Sequence, residues 1–112
     1  LRGSAGTEYS SYTNEFYNQF SQMTQIQGSI NHLQKLGNME EAYELAKRNR
    51  EILKMKKIYR SARKQLQAVS KRRQFIHRNK QFDAETKRDM LKTLKDVRNR
   101  ITKSIILNDR GQ

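Results

Sequence analysis

Between Lys47 and Lys80 the chain carries fourteen basic side chains and one acidic one, Glu51. The other segments nearly cancel. Residues 1–37 set Arg2 and Lys35 against Glu8 and Glu15, residues 38–46 hold only Glu40, Glu41 and Glu44, and residues 81–112 hold eight basic and five acidic groups. The net charge of +13 therefore sits on one segment of 34 residues. The chemistry open to such a block is ionic. It repels itself until a polyanion or an acidic protein surface offsets the repulsion. Nucleic acid phosphate is the first candidate.

Other residue types that could do chemistry are weaker. His32 and His77 stand alone, without Cys, His or carboxylate at metal-ligand spacing, and read as partly exposed helix residues. Glu40 and Glu41 could pair for acid–base work, but a capping role at a helix start explains them. There is no Gly-rich phosphate loop, nucleophile elbow or Walker-type motif. Zero cysteine excludes disulfides and thiolate metal sites. No catalytic residue, cofactor or small-molecule substrate is expected. The aromatic cluster Tyr9, Tyr12, Phe16, Tyr17 and Phe20 reads as core or interface packing.

These side chains must be positioned by helices. The chain has no proline and only five glycines, three of them near its ends. Tyr9, Phe16, Met23 and Ile30 recur at sevens, with Tyr12, Phe20, Ile26 and Leu33 beside them, which predicts a helix over 10–36. Gly37 should end it as a left-handed cap. Asn38 with Glu41 reads as a capping box opening a helix over 39–48, whose buried side is Met39, Ala42, Tyr43, Leu45 and Ala46. Helix propensity dips at Asn49, where that helix could end, kink or continue.

From 50 to 79 the pattern sharpens. Ile52, Tyr59 and Leu66 recur at sevens, as do Met55, Ala62, Val69 and Ile76, giving a two-seam heptad register. With Ile52 at position a, every f position is basic: Arg50, Lys57, Lys64, Lys71 and Arg78. On one helix they form a straight row opposite the seam, about 10 Å between neighbours. An ordinary solvated helix face would relieve such a row with glutamates at i,i+4; here only Glu51 is on offer. Contacts to DNA are expected at phosphate rather than at base edges. Asp83 reads as an N-cap for a last helix over 84–107, with Met90, Leu94, Val97 and Ile101 as its apolar seam. The short turn makes the last two helices antiparallel. Ile105, Ile106 and Leu107 wrap around the helix, so part of that run should face another chain or an unseen part of this one, and residues 108–112 should be a loose tail.

An apolar fraction of 34% against 31% charged covers one face of each helix without filling a thick core. The expected fold is all-α: one elongated helical domain over 10–107, an antiparallel coiled-coil hairpin plus a long N-terminal helix and a short connector. No apolar run approaches the roughly 18 residues of a membrane span. Residues 1–9 read as linker, and a first residue other than Met suggests a piece of a longer chain.

The order Ile30-Asn31-His32-Leu33-Gln34-Lys35-Leu36-Gly37-Asn38-Met39-Glu40-Glu41-Ala42, then Leu45-Ala46-Lys47-Arg48-Asn49-Arg50-Glu51-Ile52-Leu53, Arg60-Ser61-Ala62-Arg63-Lys64-Gln65-Leu66 and Asp83-Ala84-Glu85-Thr86-Lys87-Arg88 resembles a known module. It is the helical module near the C-terminal end of large polyvalent and internal virion (DNA-ejection) proteins of tailed phages, and the likeness spans about residues 25–105. Prolines common in that family near positions 50 and 82 are missing here. The resemblance implies a virion structural part stored inside the capsid beside portal and genome. It implies a homo-oligomer that meets portal, tail or ejection proteins, lies close to double-stranded DNA, and touches the host envelope after ejection. From the residues themselves, two rivals are a stand-alone nonspecific nucleic-acid binder and a coiled-coil adaptor for an acidic partner.

Overall fold

The computed structural model describes residues 11–111. They form α1 (Ser11–Lys35), α2 (Met39–Arg48), α3 (Arg50–Lys54), α4 (Lys56–Arg78) and α5 (Ala84–Asp109), with no strand among the described residues. The protein is all-α and elongated. Its principal extents are 59 × 30 × 25 Å and its radius of gyration is 18.2 Å, against about 13 Å for a compact domain of this length.

The run from Met39 to Arg78, at 1.5 Å per residue, is about 60 Å long, which matches the longest extent of 59 Å. α2, α3 and α4 are thus nearly collinear. The α1–α2 turn lies at one end of the molecule and the α4–α5 turn at the other. In the middle, α1 meets α4 and α5 around a core of Phe16, Met23, Tyr59, Ala62, Leu66 and Ile106. Phe16 stacks on Tyr59 with ring centroids 5.0 Å apart. Ile30 and Ala42 are buried toward one end and Ile76 toward the other, outside that cluster.

The first turn departs from the capping-box expectation. Gly37 takes φ +83, its N–H donates to the Gln34 carbonyl at 3.1 Å, and the Asn38 N–H donates to the Leu33 carbonyl at 2.9 Å. This is a Schellman closure of α1. Asn38 is held at φ −83, ψ 65 and its side chain makes no cap bond. Glu40 and Glu41 keep only their favourable place at the positive end of α2. α2 buries only Ala42 fully, while Met39 and Tyr43 are exposed, because this ten-residue helix has α1 alone along its side.

The single helix expected over 50–79 is interrupted. Asn49 separates α2 from α3, its side-chain amide donating to the Leu45 carbonyl at 2.9 Å. At Met55 the N–H donates to the Ile52 carbonyl, three residues back, at 3.2 Å, a tightened turn between α3 and α4. Asp83 caps α5, accepting from the Thr86 N–H at 2.7 Å. That bond holds its carboxyl below the usual carboxylate range.

The buried stripe of α5 is Arg98, Thr102 and Ile106. The expected seam of Met90, Leu94, Val97 and Ile101 is only half-buried. Thr13 and Thr102, both fully buried, share a hydroxyl hydrogen bond of 2.9 Å between α1 and α5. Thr13 also donates to Asn99 Oδ1 at 3.2 Å. The Ile105–Leu107 run turns inward: Ile106 is in the core, Ile105 packs against it and Leu107 is half-buried. Within the expected tail, α5 continues to Asp109. Tyr59 Oη donates to Asp109 Oδ2 at 3.1 Å, and Arg110 pairs with Glu15 on α1.

Candidate polyanion-binding surface

α4 buries Tyr59, Ala62, Leu66 and Ile76, the a and d positions of the heptad register. Ile52, Met55, Val69 and Arg73 on the same seam are half-buried. Helical geometry then directs the opposite face outward, and Arg50, Lys57, Lys64, Lys71 and Arg78 are all exposed. From Lys57 to Arg78 is 21 residue steps of uninterrupted helix, about 32 Å. Arg50 lies beyond the tightened turn at Met55. The uninterrupted row on α4 is therefore Lys57, Lys64, Lys71 and Arg78.

Charge relief along this face is scant. Among the described residues none of the five pairs with a carboxylate. Arg78 reaches only Gln74 Oε1, at 3.5 Å. Glu51 is taken by Lys54, at 3.3 Å. Two further arginines of the block are half-committed to aromatic faces: Arg63 lies 5.2 Å from the Phe20 ring centroid and Arg72 5.1 Å from that of Phe75. Lys57, Lys64, Lys71 and Arg78 present their ammonium and guanidinium groups on the exposed face of α4. This arrangement can neutralise phosphate charge, and it offers no nucleophile–base pair for a reaction.

The residues expected to form assembly seams lie mostly within this chain. Phe16, Met23, Ile30, Tyr59, Leu66 and Ile76 are buried. Tyr12, Phe20, Ile26, Leu33, Ile52, Met55, Val69, Met90, Leu94, Val97 and Ile101 are half-buried. Tyr9 lies outside the described residues. His32 and His77 are exposed on α1 and α4, and no group of three His, Asp or Glu side chains among the described residues is placed to hold a metal. No helix among them is long and apolar enough to cross a membrane.

Comparison with protein-family models, with curated proteins and with solved structures gave no match to this chain.

Sequence reasoning overlooked a second cationic cluster. A groove of about 520 Å³ between α4 and α5 is lined by Arg73, Arg88, Lys92, Lys95 and Arg98. Its signal was present in the 4-3 spacing of Arg88, Lys92 and Lys95 on one face of α5, masked there by the acidic residues Glu85, Asp89 and Asp96 interspersed along the same helix.

Proposed function

We propose that this chain is a non-catalytic structural module that lays a rigid cationic helix face against the phosphates of double-stranded DNA within a multimeric assembly. The setting that the sequence resemblance suggests is the interior of a tailed-phage virion, near the portal or tail, in an internal protein that accompanies genome delivery. The observation that carries the binding half is the exposed row Lys57, Lys64, Lys71 and Arg78 without a carboxylate partner. A straight row about 32 Å long cannot follow a curving groove, so its contacts are to backbone and carry no sequence preference. Large exposed apolar side chains at Leu36, Met39 and Tyr43 support the assembly half. A duplex-binding titration against salt tests the reading. Binding to two unrelated sequences with equal affinity and steep salt dependence is expected; no binding to duplex at low salt overturns it.

A coiled-coil adaptor for an acidic protein is the second reading, favoured by the same unpaired row. It is distinguished by a finite stoichiometry with one acidic protein and indifference to duplex.

A further inference from the structure

We infer that the last turns of α4 bind unpaired nucleobases, Phe75 stacking on a base while Lys71 and Arg78 hold the phosphates on either side. This rests on the nucleic-acid half of the proposal above and adds single-stranded DNA to the ligands of that same face.

Phe75 belongs to the solvent face of α4. It stands at position c of the heptad register and is 49% exposed. Nine residues beyond buried Leu66 is two and a half helical turns, so Phe75 points directly away from the core. Its neighbours at i−4, i−3 and i+3 are Lys71, Arg72 and Arg78, all exposed. Residues at those spacings adjoin on a helix surface. A large apolar ring thus stands among three cations, two of them members of the basic row. Arg72 sets its guanidinium 5.1 Å from the ring centroid. Among the described residues none of the three has a carboxylate partner.

Other rings of this chain carry cations to a different end. Tyr12 lies beneath Lys103 and Arg110, and Phe20 beneath Arg63. Both of those rings pack against the core, so the cation covers an aromatic that burial already holds. Phe75 is outside that core and leaves its apolar surface in water. Tyr43 is exposed as well, but it shares α2 with Glu40, Glu41 and Glu44, whose charge repels phosphate.

A nucleobase can offer its π-face to such a ring only where it is unpaired, because neighbouring bases cover both faces inside a duplex. Stacking on an aromatic side chain accepts any base, and cations beside it track the backbone. The planar guanidinium of Arg72 extends the stacking platform. Lys64 and Lys57 continue the cationic track along α4. A strand held at Phe75 by a base can therefore run on along the row by its phosphates alone.

The chain has no tryptophan, so Phe75→Trp installs a single fluorophore at this position. An oligothymidylate of about 12 nucleotides, a usual site size, should quench its emission. An abasic strand of equal length, with the same phosphates, should not. In fluorescence anisotropy, Phe75→Ala should weaken binding of the oligothymidylate by about 10-fold or more. Its salt slope should stay that of the parent, since no charge is removed, and its affinity for blunt duplex should not change. Phe75→Tyr should restore single-strand binding. Alanine favours helix, so circular dichroism should show the Phe75→Ala fold intact. The inference is overturned if Phe75→Ala binds the oligothymidylate as the parent does, if both strands quench the tryptophan alike, or if no single strand binds. Duplex binding together with a silent Phe75→Ala leaves the proposal above standing and removes this one. Base-dependent quenching without any duplex binding does the reverse.

Discussion

Replacing Lys57, Lys64, Lys71 and Arg78 together by Ala isolates what the row does. Each is exposed, and exposed substitutions of this kind shift stability by about 0.5 kcal/mol or less each, so circular dichroism should register an intact helical fold. If each cation neutralises one phosphate, the four contribute about −3.6 to the slope of log K against log salt, at about −0.9 per phosphate. Between 50 and 200 mM salt, a fourfold change, that contribution alone is a loss of about 150-fold in affinity. The parent should therefore show a slope at least that steep, and the quadruple variant should be shallower by about 3.6. Any single substitution should flatten it by about 0.9, the same for each position and for each DNA sequence. Fluorescence anisotropy with two unrelated duplexes of about 30 base pairs, longer than the roughly 32 Å row, reads all of this. If the quadruple variant keeps the parent's slope, the row is only a solvated face. If one residue carries most of the effect, contact is local rather than along the helix.

Three further expectations concern the fold. Thr13→Val or Thr102→Val alone should cost about 1–2 kcal/mol in denaturant unfolding, because the partner hydroxyl stays buried and loses a bond, and the double variant should cost less than the two together. Burial first, and then the nearby Asp109 carboxylate, push the Tyr59 phenol above its ordinary pKa of 10.0. The folded state thus holds that proton where the unfolded chain releases it. The contribution is complete below pH 10 and declines as pH rises further, by up to about 1.4 kcal/mol per unit; Tyr59→Phe should remove that decline relative to the parent. Gly28→Ala should stabilise α1 by about 1 kcal/mol, the added methyl meeting nothing within 4 Å. Gly37→Ala should destabilise by about 1–2 kcal/mol, since its φ of +83 suits glycine; thermal unfolding of both checks the opposite signs.

Apolar spacing made much of the architecture legible. Phe16, Met23 and Ile30 on α1, and Tyr59, Ala62, Leu66 and Ile76 on α4, are buried at the positions their sevens assign. Where polar atoms settle the packing, the pattern was silent. Thr102 and Arg98 form the buried stripe of α5 because a threonine pair and an arginine stem can be enclosed, and a hydropathy period weights neither. Met39 and Tyr43 fit an amphipathic stripe, yet α2 has no second neighbour to cover them. The break at Met55 left no trace because Lys54, Met55 and Lys56 all favour helix. The cationic face of α4 was readable, since a heptad register fixes which positions face out. The groove was not, because it needs two helices and is absent from either sequence segment alone.

Among the described residues, the molecule is three helices thick only at its waist, around Phe16 and Tyr59. Toward each tip the described helices thin to a pair whose buried apolar side chains are Ile30 and Ala42 at one end and Ile76 at the other. Either pair can therefore separate at far lower free energy than the whole chain unfolds, leaving the stacked aromatic layer intact. A polypeptide built this way can splay at its extremities to follow the curvature of whatever it lies against, while its middle keeps one fixed shape.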